Sequence, residues 1–227
     1  MTADDRGLVP GPDGWSLAPE GAAVHRGERT AVIADVHLGY EWSRGHGGDV
    51  VPAHSLDETT GALAALLDRA RIDRLVVAGD LVESPRPCPR TAADLRRLEG
   101  WLRDRGVALV WVLGNHDPIR HPRPPLTLDV GGWTVGHGHR PIVGPKVISG
   151  HDHPILRVGR VAARCLLVAP SAIVLPAFSA NAAGLNVADG PAPARWRGRS
   201  FRCWAGTGAR LRDFGPLDDL ANRLATG

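Results

Sequence analysis

Asp35 and His37 stand one residue apart at the end of the apolar run Thr30-Ala-Val-Ile-Ala34. A run so short and β-branched, followed by polar residues and Gly39, predicts a buried strand entering a loop. In an open α/β sheet ligands collect at that carboxyl end, and Asp-x-His spacing lets a carboxylate oxygen and an imidazole nitrogen address one cation. By itself the tripeptide reads as readily as a turn. Repetition changes the balance. The run from Arg74 ends in Gly79-Asp80, and that from Ala108 in Gly114-Asn115-His116-Asp117. Shorter runs from Gly132 and Lys146 end in Gly136-His137-Gly138-His139 and Gly150-His151-Asp152-His153. Each strand is thus followed by a carboxylate, an amide or an imidazole, usually behind a glycine that lets the backbone turn sharply beside a ligand.

Asp35, His37, Asp80, Asn115, His137, His151 and His153 are oxygen and nitrogen donors with no sulfur among them. They exceed the needs of one tetrahedral ion and suit two adjacent ions roughly 3.5–4 Å apart, with Asp80 the best candidate for a bridging carboxylate. Mixed carboxylate, amide and imidazole ligation favours divalent Mn, Fe or Zn over Ca or Mg, which prefer oxygen alone.

The elements that must position these donors alternate in type. Ser55-Leu-Asp-Glu58 has capping-box spacing, and Leu63, Leu66 and Leu67 share a helical face, which predicts a helix from Ser55 to about Ala70. Thr91-Ala-Ala-Asp94 predicts a second helix with Leu95, Leu98 and Leu102 on one face and a stop at Gly106. With the strands between them this is a βαβαβ unit, right-handed and parallel. Residues 15–29 read as one or two edge strands. The stretch 39–52 reads as a loop, because Gly45, Gly47 and Gly48 crowd it.

Beyond Asp117 prolines interrupt any helix, and short strands over 133–136, 146–149, 159–168 and 196–204 predict a second sheet packed on the first. Residues 216–224 predict a closing helix with Pro216 in its first turn. Residues 1–14 read as a flexible amino-terminal tail and 15–227 as a single domain.

A chain of 227 residues with 43% hydrophobic content can bury a full core. The net charge of +3 is carried almost wholly by arginine, Lys146 being the sole lysine, and is weak evidence for a polyanionic partner. Cys88, Cys165 and Cys203 are odd in number and widely spaced, which argues against a disulfide framework and a thiolate metal site. The start lacks an apolar core of the signal-peptide kind, and nowhere do eighteen apolar residues run together, so a cytoplasmic protein without membrane association is expected.

Asp35-x-His37, Gly79-Asp80, Gly114-Asn115-His116-Asp117, His137-Gly138 and Gly150-His151-x-His153, in this order, resemble the calcineurin-like metallophosphoesterase superfamily. The resemblance covers about residues 30–153. It implies a four-layer αββα sandwich of two mixed β-sheets flanked by helices. It also implies that Asp35, His37, Asp80 and His153 hold one ion and Asp80, Asn115, His137 and His151 the other. Gly136-His-Gly-His139 also fits the Gly-His-x-His pattern; His151 and His153 are taken as the terminal pair because chain order then supplies every ligand. Two such cations acidify water and offset charge on phosphoryl oxygens, so the implied chemistry is phosphoester hydrolysis. By the same resemblance His116 faces the phosphate as acid or charge stabiliser, with Asp117 fixing its other nitrogen.

Softer features, Ala34-Asp-Val-His-Leu-Gly-Tyr40-Glu41, Ser149-Gly-His-Asp-His-Pro154, Leu175-Pro-Ala-Phe-Ser179 and Phe214-Gly-Pro-Leu217, are similar to a bacterial branch associated with an ATP-dependent DNA ligase and a helicase in DNA damage response. That similarity implies a Mn-dependent nuclease or phosphodiesterase acting on DNA. The competing expectations are hydrolysis of a small phosphoester such as a nucleotide, and a non-catalytic protein-binding scaffold, against which the presence of every ligand and of His116 speaks. His139 and Arg140 read equally as substrate contacts and as a solvated loop. Residues 195–202 interleave arginine with Trp196 and Phe201, as nucleic-acid surfaces do, but the alternation suits a strand with a wet and a dry face better. His25, His46, His54 and His121 are expected to be ordinary exposed or locally bonded imidazoles.

Overall fold

The structure, a computed structural model, describes residues 7–118, 123–189, 193–206 and 208–220. Two mixed sheets lie face to face. The first runs in chain order from β1 (Val9–Pro10) through β2 (Trp15–Ala18), β3 (Ala22–His25), β4 (Thr30–Ile33) and β5 (Arg74–Ala78) to β6 (Ala108–Val112). β1 to β4 pair antiparallel, whereas β4, β5 and β6 are parallel. Parallel neighbours need crossovers, supplied by α2 (Ser55–Arg69) and α3 (Pro89–Arg103), while α1 (Tyr40–His46) follows β4 directly.

The second sheet contains β7 (Thr127–Val130), β8 (Trp133–Gly136), β9 (Val147–Ser149), β10 (Pro154–Val158), β11 (Val161–Ala169), β12 (Ala172–Val174), β13 (Leu185–Asn186), β14 (Arg202–Gly206) and β15 (Leu211–Pro216). Its main order is β13-β10-β11-β12-β9-β8-β7, with β14 and β15 reached through β11. β8, β9 and β12 are parallel, and β8 and β9 carry the second set of donors at their carboxyl ends.

Period-two alternation places successive residues of the central strands in different apolar layers. On β4, Ala31 and Ile33 pack with Leu63, Leu66, Leu98 and Leu102 of the helices, whereas Val32 packs with Trp15, Trp133, Ile148 and Ile173 between the sheets. On β11, Leu166 joins that middle layer while Cys165 and Leu167 face a third, with Trp196, Phe201, Leu217 and Leu220. Three apolar layers among four structural ones is the sandwich expected from the sequence.

Several local expectations differ. Residues 7–14 are tied down: Leu8 is buried in the core and β1 pairs with β2, so the tail reading fails over this part, where one apolar side chain holds an edge strand in place. The 39–52 loop contains helix α1, because Gly47 and Gly48 fall after its end and tertiary bonds hold it. Trp42 Nε1 donates to Asp94 Oδ2 at 2.7 Å, and buried Glu41 accepts from Ser55 Oγ at 2.9 Å. Ser55 is therefore the first residue of α2 and not its cap, which is His54. The strand predicted over 196–204 begins only at Arg202. Before it the chain makes a 3-10 turn, Ala194–Trp196, and reverses at Gly198, whose φ of +73° is left-handed. At the far end residues 217–220 are helical, and the rest of the predicted closing helix lies outside the described residues. No helix among the described residues is long and apolar enough to cross a membrane.

Candidate metal centre

The strand ends of both sheets meet at one place. Asp35 N donates to Gly79 O at 3.1 Å, so the turns after β4 and β5 are stitched together. Gly150 N donates to His137 O at 3.0 Å, doing the same for β8 and β9. The segment 175–179 spans the two sheets: Leu175 N reaches Ser149 O at 2.7 Å, and Phe178 N reaches Ala34 O at 2.8 Å.

Backbone strain is concentrated here. Asp35, His37, Asp80, His151 and His153 all have left-handed φ, between 45° and 72°, which costs an L-residue free energy that the surrounding structure must offset. The loops are also closely packed. A β-carbon on Gly114 would collide with the Asp80 carboxylate and backbone nitrogen, and one on Gly150 with Ala34 and the Asp35 carboxylate. These glycines are required by close approach. Gly114→Ala is accordingly expected to displace Asp80 and lower metal content even where the fold persists; elemental analysis beside a thermal melt checks this.

The imidazoles show what the centre is built to hold. His137 Nδ1 is 3.1 Å from Ala78 O and His153 Nδ1 is 2.9 Å from Ala183 O, and opposite a carbonyl a ring nitrogen must be the donor. His37 Nδ1 lies 2.9 Å from the Glu83 carboxylate, a contact of charge outside hydrogen-bond geometry. In the neutral rings of His137 and His153, Nε2 then carries a lone pair. His37 Nε2 and His153 Nε2 nevertheless face each other at 3.4 Å, and Asp35 Oδ1, fully buried and without a hydrogen-bond partner among the described residues, is 3.4 Å from His153 Nε2. A cation satisfies all three. The same holds around His137 Nε2, 2.9 Å from Asn115 Oδ1 and 3.2 Å from Asp80 Oδ2. Donor atoms within 4.8 Å of one another form three trios: Asp35, His37 and His153; Asp35, Asp80 and His137; and His37, Asp80 and His116. The residues present fit a two-ion centre.

Electrostatics agree with that fit. Burial alone would raise the Asp80 carboxyl, but the hydrogen bond and charge of His137 and the His116 N–H outweigh it and hold it at about 2. Burial pushes His137 and His153 down, yet Asp80 and Asp35 beside the first and Asp35 beside the second bring both above the ordinary histidine value. Those are protons a divalent cation displaces on binding. Burial, reinforced by the charge of His137, pushes His139 and His151 down.

A model of the calcineurin-like phosphoesterase family matches residues 28–153, the segment that contributes all these donors. The chain belongs to the calcineurin-like phosphoesterase family. Among solved structures it is similar to a nuclease, MPE, of Pseudomonas putida, with a TM-score of 0.69 over 91% of this chain and 98% of that one at 22% identity, a likeness of fold.

Within this calcineurin-like phosphoesterase the expected donors Asp35, His37, Asp80, Asn115, His137 and His153 all converge. His151 approaches differently: its backbone N–H donates to Asp35 Oδ2 at 2.8 Å, and its ring lies 4.9 Å from that of His137. His116 stands edge to face with His37 at 5.1 Å, and its N–H donates to Asp80 Oδ1 at 2.8 Å. The expected role of Asp117 needs correction. Its carboxylate accepts from Gly114 N at 2.9 Å in its own turn and from Val82 N at 3.2 Å on the loop after β5, so it fastens the two loops together, and burial raises its pKa. The partner of His116 Nδ1 is instead Glu83 O, at 2.7 Å.

Glu83 is the residue that motif reading missed. It follows Asp80 by three positions on the same loop, and it serves two rings, His37 through its carboxylate and His116 through its carbonyl. Glu83→Gln is expected to weaken metal binding by roughly the 10–100-fold typical of a lost partner to a ligating histidine. Competition with a chromogenic chelator measures it, and unchanged affinity would leave Glu83 with only its carbonyl role. Of the other histidines, His25 packs edge on to Trp15 and His46 bonds the Trp42 carbonyl; His121 lies outside the described residues.

Proposed function

We propose that this protein is a two-metal phosphodiesterase that cleaves nucleic acid, with Mn as the preferred ion and Fe or Zn as alternatives. The observation that carries the reading is the convergence of imidazole Nε2 atoms and buried carboxylate oxygens on two adjacent points, with a further histidine, His116, at one end. Asp35, His37, Asp80 and His153 would hold one ion and Asp80, Asn115, His137 and His151 the other. Divalent ions supply Lewis acidity there. The chain supplies the rest. Glu83 O keeps the His116 ring oriented through Nδ1, and Nε2 of the charged ring can deliver a proton to a departing oxygen or stabilise charge on it. A nucleic-acid substrate is supported by the likeness of fold to the Pseudomonas putida nuclease and by Arg140, Arg195 and Arg199 on loops beside His139.

The test is a panel of labelled single-stranded, flapped and duplex oligonucleotides beside a chromogenic diester, with Mn, and with Asp80→Asn as control for contaminating nuclease. Metal-dependent cleavage of single-stranded or flapped DNA is expected. Diester hydrolysis without DNA cleavage would leave a small-molecule phosphodiesterase. Binding to single strands should also weaken with salt, the slope of log K against log salt being about −0.7 for each phosphate neutralised. Replacing Arg197 and Arg199 together should flatten that slope, and an unchanged slope would remove this loop from the contact surface.

A further inference from the structure

Beyond the His139 end of the centre lies a cavity of about 540 Å³, within the range of sites that enclose a small organic group. Its walls are continuous with the donor loops. Gly138 and His139 follow His137 and Ser149 precedes Gly150-His151, and all three line it; the His139 ring lies 5.1 Å from that of His137 and 6.2 Å from that of His151. The opposite wall is the turn that replaced the expected strand. It brings in Trp196 and Phe201, both buried and set edge to face at 6.4 Å, together with Arg195 and Arg199, while Arg140 lies on the near side.

The polar groups on this wall are unevenly committed. Arg195 is held by the Asp152 carboxylate, Nε to Oδ2 at 2.7 Å, which fastens the turn to the loop between His151 and His153. Arg199 Nη1 donates to Ser171 O at 3.2 Å. Arg140 has no ion-pair partner among the described residues. Trp196 Nε1 and His139 Nδ1 are buried and lack a hydrogen-bond partner among them. Both atoms are closed off from solvent, so the polar groups that the cavity can offer a ligand are the guanidinium of Arg140 and the remaining nitrogens of Arg199.

We propose that this cavity is a nucleobase subsite, taking the base of the nucleotide whose phosphate lies at the metal centre; the proposal rests on the phosphodiesterase reading above. A planar heterocycle matches the aromatic and aliphatic walls, its ring nitrogens and carbonyls can accept from the guanidinium groups of Arg140 and Arg199, and guanidinium planes stack on bases. A second phosphate fits less well, since Arg195 is already neutralised and the apolar walls would exclude water from the anion. His116 belongs to the His37 end of the centre and this cavity to the His137 end, so the base would be that of the nucleotide retaining the phosphate, away from the leaving oxygen.

The full-length protein with Mn is assayed on two nitrophenyl phosphodiesters, one of deoxyadenosine and one of the same sugar without its base. The base-bearing ester is expected to have a kcat/KM at least ~10-fold higher, in line with one stacked base. Arg140→Ala and Arg199→Ala, singly and together, should shrink that ratio, the exposed Arg140 keeping the test independent of folding. Saturation-transfer NMR with deoxyadenosine 5'-monophosphate, with Mn replaced by Mg and again in chelator, should show the strongest transfer to the base protons, reduced in the double variant. Equal turnover of the two esters with no transfer to base protons overturns the subsite and leaves the phosphodiesterase. Persistent base transfer with neither ester hydrolysed upholds the subsite and overturns the hydrolase.

Discussion

Asp80→Asn should abolish turnover, with a loss at least as large as that from any other single donor and above the ~10–100-fold that follows loss of an outer partner. The reason is geometric as well as electrostatic. Asp80 Oδ1 accepts from His116 N at 2.8 Å while Oδ2 faces His137 Nε2 at 3.2 Å, and the carboxylate belongs to two of the donor trios, that with His37 and His116 and that with Asp35 and His137. An amide carries no charge and has a single oxygen. Turned one way its NH2 opposes the His116 N–H, and turned the other it points donors at the place where a cation must bind. The variant should therefore lose metal as well as activity, and elemental analysis beside turnover separates this from a purely catalytic defect. An active Asp80→Asn, or a single tightly held ion in an active wild-type preparation, would sink the two-metal reading.

His116→Ala is expected to behave in the opposite manner, leaving metal content near normal and cutting turnover by roughly the 10²–10⁴-fold of a lost general acid. The ring shares a trio with His37 and Asp80, so the metal measurement is informative in itself: loss of an ion would make His116 a ligand. If it protonates the leaving oxygen, the defect depends on what leaves. Nitrophenolate departs without help and alkoxide does not, so nitrophenyl diesters should be partly rescued and alkyl diesters should not. An equal loss on both would leave charge stabilisation alone.

The candidate donors and their order along the chain were legible in the sequence by itself. Glycine before Asp80, Asn115 and His151 marks places where neighbouring groups pass too closely for a β-carbon, and the short β-branched runs ahead of them read as strands, of which those before Asp80 and Asp35 are buried and that before Asn115 is half-buried. The helices were legible for the same reason, since Leu63 and Leu66, or Leu95, Leu98 and Leu102, recur at helical spacing and all are buried. Other features depended on contacts between residues far apart in sequence. Glu83 looks like any loop carboxylate until the fold brings His37 and His116 to it, 46 and 33 positions away. Asp117 adjoins His116 in the chain, yet its carboxylate finds backbone donors nearer than the ring. Helix α1 forms in a glycine-rich stretch because Trp42 and Glu41 find Asp94 and Ser55. The alternation of arginine with Trp196 and Phe201 satisfied the pattern of a strand, but a left-handed Gly198 and burial of both rings turned the chain into the wall of a cavity. Local patterns record which side chains must be buried and where the backbone must bend; which polar group meets which is settled only when strands distant in sequence are laid side by side.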